Sequence, residues 1–385
     1  MKRKVLILGG GYAGVIASNR LAKLDKELEI TLLNKDENFV ERIRNHEKAT
    51  GKSKKEFHIS ELLSKRVKFR KGNVLKIFPD LQEVVIANSE PPLRYDSLIY
   101  ALGSTQHATS ISVQNVITKE NSETLCRKLQ PRSEGTAWVI GGGLTGIELA
   151  TEIKDSYPHW NVGLVDRGKF ASTFSTKAQE YLRKIFSKME ITIEEKTEVA
   201  RMEKAQLHLT NGRIVPCQLL ISTSGFSSSE VAKNSGFRTN DRNQIRVNQY
   251  LQVPDYPNVF VAGDACYMEN SFLRMGCVTA LPLGIQAAEN VYKYLKDQKM
   301  DEFSFRFMGR NVSLGRKEGL IQMTDEKDSP VETIFTGSLA AFLKEMICKY
   351  TLLSIRLEKW LPFRTYSWPR HKTKNQNQKF ETSYE

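Results

Sequence analysis

Residues 138–150 read WVIGGGLTGIELA, and residues 5–14 read VLILGGGYAG. Each stretch contains a short apolar run, glycines in the spacing GxGxxG, and the start of a helix-like segment. In this pattern the first glycine permits a tight turn, the second lets a pyrophosphate approach the backbone, and the third allows helix and strand to pack closely. The pyrophosphate then lies at a helix N-terminus, where free N–H groups and the helix dipole favour anions. The chain therefore has two candidate dinucleotide-binding turns.

A second apolar segment follows each turn, EITLLN at residues 29–34 and NVGLVD at residues 161–166. The residue about twenty positions beyond the third glycine normally hydrogen-bonds the adenosine ribose. It is Asn34 in the first unit and Asp166 in the second. Two complete βαβ units predict an α/β fold with two Rossmann-like dinucleotide-binding domains. A protein with two such sites usually passes a hydride between a retained flavin and an exchanging nicotinamide.

The composition is typical of a protein with sizeable cores. The chain has 385 residues, of which 40% are hydrophobic, and this length suggests two or three domains. No run of about 18 apolar residues is present, so we expect no transmembrane helix. The N-terminal MKRKVLIL has an apolar run too short for a signal peptide and is interpreted as a first strand. Five dispersed cysteines without a CxxC pair predict a reducing, cytoplasmic compartment and neither a disulfide framework nor a metal site.

The charge is strongly positive. The formal net charge is +13, and residues 42–76 carry twelve Lys or Arg. Such a strip attracts nucleotides, acidic proteins or anionic lipid headgroups, although a solvated face explains it equally well. The sequence has no nucleic-acid-binding motif, and we predict no nucleic-acid partner.

Four further segments resemble motifs of FAD-dependent pyridine nucleotide oxidoreductases. Residues 95–104 (YDSLIYALGS) and 219–226 (LLISTSGF) resemble the two strand-and-turn segments that end in ATG in that family. Residues 257–265 (PNVFVAGDA) are similar to the motif whose aspartate holds the flavin ribityl chain, and residues 282–291 (PLGIQAAENV) to the helix near the isoalloxazine. With SLGRKEG at residues 313–319, the resemblance is to the type II NADH dehydrogenase-like branch.

The resemblance implies that the first turn binds FAD, the second binds NAD(P)H, and the second domain is inserted into the first. The FAD-binding domain would comprise residues 1–113 and 245–300, and the NAD(P)H-binding domain residues 114–244. Residues 301–370 would form a C-terminal α+β and amphipathic helical region, for an interface or for membrane association. Residues 371–385 would be a disordered tail.

The resemblance also implies which residues bind the cofactors. For FAD they are Gly9, Gly11, Tyr12, Ala13, Gly14, Asn34, Lys35, Arg42, Val74, Ala101, Leu102, Gly103, Gly263 and Asp264. For NAD(P)H they are Gly141, Gly143, Leu144, Thr145, Gly146, Asp166, Arg167 and Gly225.

Two positions have alternative interpretations, and a third departs from the usual residue. Asp166 would accept hydrogen bonds from the NADH ribose and repel a 2′-phosphate, so we predict NADH; the adjacent Arg167 could accommodate that phosphate and leaves NADPH open. In similar enzymes a glutamate at the position of Glu148 lies near the nicotinamide and flavin, where it orients the ring or relays a proton. Glu148 could instead be a helix-start glutamate favoured by the dipole. Asn34 replaces the usual acid, and we expect FAD to bind with altered affinity because an amide both donates and accepts hydrogen bonds.

The sequence departs from the disulfide reductases of this superfamily, which carry a redox-active cysteine pair soon after the first turn. Residues 34–52 contain no cysteine, so electrons should not leave through a protein disulfide. Arg42, Arg44 and His46 occupy that region, either as positive charge near the flavin or as a solvated helix face. Cys266 and Cys277 are expected to be buried packing residues.

A second departure concerns the electron acceptor. True type II NADH dehydrogenases carry a glutamine-bearing motif near the quinone, and here Val278 and Pro282 fall at the glutamine positions. Quinone as the acceptor is therefore an inference from relatives.

The C-terminal region begins GSLAAFLKEMICKYTLLSIRLEKW at Gly337. Apolar residues recur with helical spacing at 339, 342, 343, 346, 347, 350, 353, 357, 360 and 361, with Lys344, Lys349, Arg356, Lys359 and Arg364 between them. The pattern predicts an amphipathic helix that docks on the protein, forms a homodimer interface, or anchors the protein to an anionic membrane surface.

These observations predict an FAD-dependent NADH dehydrogenase that passes a hydride from NADH to FAD and then electrons to a small-molecule acceptor, with quinone as one candidate. The protein would be cytoplasmic or peripheral on the cytoplasmic face of a membrane. The alternative is an NADH-sensing flavoprotein of the apoptosis-inducing-factor type that acts through a partner.

Overall fold

The computed structural model describes residues 2–52, 56–88, 91–106, 117–118, 122–130, 132–223, 225–269 and 271–371. Its helices are α1 (Tyr12–Leu24), α2 (Asn45–Ala49), α3 (Ile59–Leu62), α4 (Ser122–Leu129), α5 (Leu144–Ser156), α6 (Thr176–Lys188), α7 (Val231–Asn234), α8 (Cys277–Leu295) and α9 (Gly337–Glu358). Short 3₁₀ helices lie at Arg42–Arg44 and Gly263–Ala265.

The first domain is built on a six-stranded sheet. In spatial order its strands are Gln252–Val253, Tyr256–Val261, Ser97–Tyr100, Lys4–Leu8, Glu29–Asn34 and Val67–Lys71. All neighbours are parallel except the outermost pair, Gln252–Val253 with Tyr256–Val261. Tyr256–Val261 thus returns to this sheet after the whole second sheet has been formed. The central strands are apolar runs because residues on both faces of this parallel sheet are buried, as Val5–Leu8 and Ser97–Tyr100 are throughout.

The second domain is a five-stranded parallel sheet, and the two Rossmann-like units of the sequence prediction are confirmed. Its strands, in spatial order, are Ile117–Thr118, Leu219–Ser222, Gly135–Ile140, Trp160–Asp166 and Ile191–Glu195. Helix α5 follows the glycine turn of this unit, as α1 does in the first domain. In the first domain α1 packs so tightly on α8 that a Cβ on Gly284 would lie 2.5 Å from the Ala13 carbonyl oxygen.

A two-stranded antiparallel ribbon joins the two domains: Ser104–Gln106 pairs with Phe226–Ser228. The remaining strands form small sheets at the margins. These are Val74–Phe78 with Glu83–Ile86 and Leu93–Arg94; Val199–Glu203 with Gln206–Leu209 and Ile214–Pro216; Ile245–Val247 with Cys266–Met268; and Asn38–Phe39 with Phe57–His58.

The C-terminal region is α+β, as predicted. Three antiparallel strands, Gly309–Leu314, Glu318–Thr324 and Pro330–Thr336, lead into α9. Among the described residues, every helix is too short or too polar to cross a bilayer.

Helix α9 directs its large apolar side chains away from the protein. Exposed residues on it are Leu339, Phe342, Leu343, Met346, Ile347, Tyr350 and Leu353, which we call the apolar face. The docked face consists of the buried residues Ala340, Lys344, Cys348, Thr351, Ser354, Ile355 and Glu358. Two positions assigned to the apolar stripe from sequence, residues 360 and 361, lie beyond the end of α9.

The domain boundaries stay predictions. The boundary at residues 113/114 lies outside the described residues, as does the predicted tail from residue 372 onward. His371, the first residue of that tail, is described, and its backbone N–H donates to Ser304 Oγ at 3.0 Å.

Candidate functional site

A cleft of about 1430 Å³ lies where the carboxyl ends of the two parallel sheets face each other. This is where open α/β sheets bind their ligands. Most residues predicted from the sequence line this cleft. They are Gly9, Gly11, Tyr12, Ala13, Asn34, Lys35, Arg42, Ala101, Leu102, Gly103, Gly263 and Asp264 from the predicted FAD set, and Gly141, Gly143, Leu144, Thr145, Gly146, Asp166, Arg167 and Gly225 from the predicted NAD(P)H set. Glu148, the candidate catalytic residue, lines the cleft as well.

Two predicted residues, Gly14 and Val74, do not line the cleft. Gly14 lies behind the turn, where a Cβ would come 1.8 Å from the Gly9 carbonyl oxygen. Its role is therefore the close packing of α1 on the turn. Val74 is 7% exposed and begins the strand Val74–Phe78. A contact between Val74 and FAD stays a prediction, as do the cofactor contacts of the lining residues.

The two glycine turns have the same geometry. Gly9 and Gly141 adopt φ of +105° and +108°, which favours glycine. A Cβ placed on Gly11 or Gly143 would meet no atom within 4 Å, whereas one on Gly146 would lie 1.8 Å from the Gly141 oxygen. The middle glycines thus leave open space at the N-termini of α1 and α5, and no side chain of the described residues caps either helix. Both turns fit a pyrophosphate.

The residues that end the second strand of each unit are held by their own turn. Gly10 N–H donates to Asn34 Oδ1 at 2.9 Å, and the Asn34 amide donates to the Asp36 carbonyl at 2.8 Å. In the second unit Gly142 N–H donates to Asp166 Oδ2, and Gly168 N–H donates to Asp166 Oδ1 at 2.7 Å. Asn34 keeps one N–H and one lone pair for a ribose hydroxyl, whereas Asp166 presents only acceptors.

Asp264 is the centre of a hydrogen-bonded cluster on the flavin side of the cleft. Its Oδ1 accepts from Gly276 N–H at 2.8 Å, and its Oδ2 accepts from Ser104 Oγ at 2.6 Å. Arg42 donates to Ser104 Oγ at 2.9 Å and lies 3.6 Å from Asp264 Oδ2. The cluster fixes the Asp264 side chain at the predicted ribityl site. Sequence reasoning missed Ser104, although it ends the motif at residues 95–104.

Glu148 brings three parts of the chain together. It lies on α5, and its Oε1 accepts from Lys344 of α9 and from Ser313 N–H, the latter at 3.3 Å. His46 of α2 places Nδ1 3.9 Å from Glu148 Oε2. The Lys344, His46 and Glu148 side chains are 8%, 7% and 15% exposed. A carboxylate, an ammonium and an imidazole thus meet in the cleft wall.

Two sequence interpretations are wrong here. Under the membrane-anchor interpretation Lys344 would face lipid, but it lies on the docked face, opposite the apolar face. A buried ammonium needs a partner, and Glu148 supplies it. Of the two interpretations of the region of Arg44 and His46, the solvated helix face is wrong. Arg44 is instead 15% exposed and pairs with Glu47 at 2.9 Å and with Glu345 at 2.8 Å.

None of the five cysteines forms a disulfide. Burial raises the pKa of Cys266 to about 12, which agrees with a packing role. Cys277 was also predicted to be buried, and this was wrong: it is partly exposed and lines the cleft because it begins α8, whose N-terminus faces the cavity. Cys348 of α9 lines the cleft as well, and burial raises its pKa.

The comparisons with known proteins agree with this architecture. Residues 3–290 match the family described as pyridine nucleotide-disulphide oxidoreductase. The chain belongs to this family. Membership identifies it as an oxidoreductase and implies binding of FAD and NAD(H), with hydride transfer from NADH to FAD and onward transfer of electrons to an acceptor. The family name refers to a disulphide, yet no disulfide is formed among the cysteines of this chain.

Individual relatives are distant but cover most of the chain. Ferroptosis suppressor protein 1 of Xenopus tropicalis is 26% identical, covering 83% of this chain and 88% of the relative. The type II NADH:quinone oxidoreductase of Staphylococcus aureus is 27% identical, covering 90% and 94%. Among solved structures, the sulfide:quinone oxidoreductase of Aquifex aeolicus has a TM-score of 0.78 at 19% identity and covers 92% of both chains. At that identity the structural likeness shows the fold alone.

Proposed function

We propose that this chain is an NADH:quinone oxidoreductase that works at a membrane surface. The observation that carries the proposal is the position of Ile347. It lines the cleft and also belongs to the apolar face of α9, where it is 44% exposed. A lipid-soluble acceptor could therefore pass from a bilayer into the cleft without crossing water. The Staphylococcus aureus relative is a type II NADH:quinone oxidoreductase, which supports the same acceptor.

The cleft beside α9 is suited to an apolar ring with polar groups at one end. It is lined by Met275, which precedes α8, and by Cys277 and Val278 in the first turn of α8. Pro282 does not line the cleft and is buried within α8, so of the two positions aligned with glutamines only Val278 faces an acceptor. Lys344 and its partner Glu148 supply the polar end.

FAD, when bound, would accept the hydride of NADH and release the electrons to the quinone. The protein's contribution is to bind and orient the two nucleotides and the acceptor and to keep water out. We place FAD at the first glycine turn and NADH at the second. We also place the protein on the cytoplasmic face of the membrane, because none of its thiols requires an oxidising compartment.

The acceptor is tested directly. FAD-loaded protein is mixed with NADH and a short-chain quinone, and NADH oxidation is compared with the rate in dioxygen alone. We expect turnover of about 10 s⁻¹ or more with quinone, as is typical of enzymes acting on their own substrates. If NADH reduces the flavin rapidly but no quinone reoxidises it, the quinone proposal is wrong, and a long-lived reduced state would favour the NADH-sensing alternative.

We also propose NADH as the preferred nucleotide, on the basis of Asp166. Asp166→Ala removes acceptors for the ribose hydroxyls, and a hydrogen bond to a charged group is worth about 1.5–3 kcal/mol, so we expect the KM for NADH to rise about tenfold or more. The KM for NADPH should fall because Arg167 then faces the 2′-phosphate without the opposing carboxylate. Steady-state kinetics with both nucleotides test this, with Asp255→Ala, an exposed site, as the control. Wild-type protein that prefers NADPH would contradict the assignment.

A further inference from the structure

The proposed reaction consumes a proton that NADH does not provide. The balanced equation is NADH + H⁺ + quinone → NAD⁺ + quinol. The hydride carries two electrons and one proton, so the second proton of the quinol comes from water. Because the cleft is partly closed by α9, the protein needs a route for this proton.

His46 is the only histidine among the described residues that line the cleft. Histidine titrates near neutral pH, and its two ring nitrogens allow a proton to be taken up on one side and released on the other. Nδ1 lies 3.9 Å from Oε2 of Glu148, and Nε2 lies 3.9 Å from Oε1 of Glu47. Each separation is about 1 Å longer than a hydrogen bond, so a small side-chain rotation or one water molecule closes it.

The Glu47 side of the imidazole leads to solvent. Glu47 pairs with Arg44 at 2.9 Å and with Arg316 at 3.2 Å, and the Arg316 side chain is 34% exposed. A second carboxylate, Glu152, pairs with Arg316 at 2.7 Å and with Lys52 at 3.2 Å. This cluster of charged side chains connects the buried imidazole with the surface of the protein.

The Glu148 side leads to the acceptor. Glu148 accepts a hydrogen bond from Lys344, and both side chains line the cleft beside Ile347. Tyr12 also lines the cleft, but burial raises its pKa well above the usual value, so it keeps its proton and is a poor relay.

Charges of both signs surround His46. Glu148 from α5 and Glu47 from α2 favour the protonated ring. Lys344 from α9, Arg44 and Arg316 oppose it, but each of them is paired with a carboxylate. The imidazole therefore lies between two carboxylates, each of which is also paired with a cation.

We propose that His46 relays the proton that completes quinone reduction, taking it from the solvent side at Glu47 and passing it to Glu148. This inference rests on the proposed function, because only an acceptor that takes up protons needs the relay. His46 acts through Glu148 and is a relay residue, not one that contacts the acceptor.

The first test compares two acceptors. His46→Gln retains a polar side chain but cannot relay a proton, and His58→Gln, at an exposed position, is the matched control. Ferricyanide takes electrons without protons, whereas a soluble quinone takes both. With FAD-loaded full-length protein, His46→Gln should lower kcat with quinone about tenfold or more and change it less than twofold with ferricyanide. The expected loss is smaller than the roughly 100-fold or more that a positioned proton donor typically contributes, because water can partly replace the imidazole. The loss should grow as the pH rises, because free protons become scarcer.

The second test does not use activity. The ring C–H resonance of His46, assigned by its disappearance in His46→Gln, is titrated by NMR in wild-type protein and in Glu148→Gln. Removal of the neighbouring carboxylate should move the titration midpoint of His46 to lower pH. Glu203→Gln, on an exposed hairpin, should leave it unchanged.

The outcomes are distinct. Equal losses with both acceptors, or normal quinone turnover in His46→Gln, would overturn the relay while leaving the quinone reaction intact. If the titration midpoint of His46 is the same in wild-type protein and in Glu148→Gln, the relay is also overturned, because the two groups are then not coupled. Wild-type protein that reduces ferricyanide but no quinone would instead refute the proposed function itself, and the relay with it.

Discussion

Replacing Gly143 by valine is expected to slow flavin reduction at low NADH severely while the protein keeps its fold and its FAD. A Cβ at this position meets no atom within 4 Å, and the backbone at φ −80° and ψ −178° is one that valine adopts readily. The new side chain therefore fits the free protein. It occupies the space through which a pyrophosphate must approach the N-terminus of α5. We expect flavin reduction at low NADH to slow about 100-fold or more, which corresponds to about 3 kcal/mol.

The equivalent substitution in the first turn should have a different effect. Gly11 has the same open surroundings and a similar backbone, φ −80° and ψ −168°. Gly11→Val should therefore yield a folded protein that lacks FAD. Gly146→Val serves as the contrast, because its Cβ would overlap the Gly141 oxygen at 1.8 Å and should destabilise the second domain.

Three measurements separate these outcomes: flavin content per chain, the thermal unfolding temperature, and the stopped-flow rate of flavin reduction. If Gly143→Val loses FAD and Gly11→Val loses only NADH binding, our assignment of the two nucleotides is reversed. If Gly143→Val is reduced at the wild-type rate, the second turn is not the NADH site.

Substitution of the apolar face of α9 is expected to release the protein from membranes. Leu339, Phe342, Met346 and Leu353 are 61%, 60%, 47% and 50% exposed, so changing them to glutamine should cost little folding stability. Full burial of one such side chain contributes about 1.5–3 kcal/mol. If partial insertion of each of the four side chains contributes about 1 kcal/mol, the variant with all four substitutions should bind vesicles about 1000-fold more weakly.

Removing α9 by truncation after Thr336 would not test the apolar face alone. The docked face of α9 supplies Lys344, Cys348 and Ile355 to the interior, so the truncation would also expose core and break the contact with Glu148. Point substitutions avoid this. A matched control changes Leu75, Phe78 and Leu81, which are 51%, 37% and 65% exposed outside the C-terminal region, to glutamine. Binding is measured by sedimentation with vesicles that contain anionic phospholipid.

Salt should have only a modest effect on this binding. The Lys344 charge is paired with Glu148, and Arg364 pairs with Glu289. Lys349 is 64% exposed, but it lies 3.6 Å from Glu345. Wild-type protein that stays in the supernatant at low and high salt would show the membrane proposal to be wrong. If the wild-type protein is instead a dimer and the variant with all four substitutions is a monomer, the apolar face contacts a second copy of the chain.

The sequence predicts the parts of this structure that depend on residues close together in the sequence. Gly9 and Gly14 fix the first turn within six positions, and the 3.6-residue period of α9 predicts a helix with an apolar face. Neither pattern shows which face of α9 docks. The apolar one would be expected to do so, yet the docked face carries Lys344 and Thr351.

The candidate site was harder to predict because its contacts join distant parts of the chain. Glu148 and Lys344 are 196 residues apart, and Ser104 and Asp264 are 160 apart. No local period or motif encodes such pairs. The one available signal for Lys344 was its spacing of four from Ala340 and Cys348, which places it among small side chains opposite the apolar stripe.

The ribbon of Ser104–Gln106 and Phe226–Ser228 has an evolutionary consequence. Paired strands lie about 4.8 Å apart, so the chain leaves the first domain and comes back to it at nearly the same place. A module whose entry and exit lie side by side can be gained or exchanged as one insertion in the gene, because the host chain needs only a short loop to close the gap. Its contacts with the C-terminal region, such as Glu148 with Lys344, would have to change with it. The nicotinamide-binding half could thus have diversified its nucleotide preference independently of the flavin-binding half.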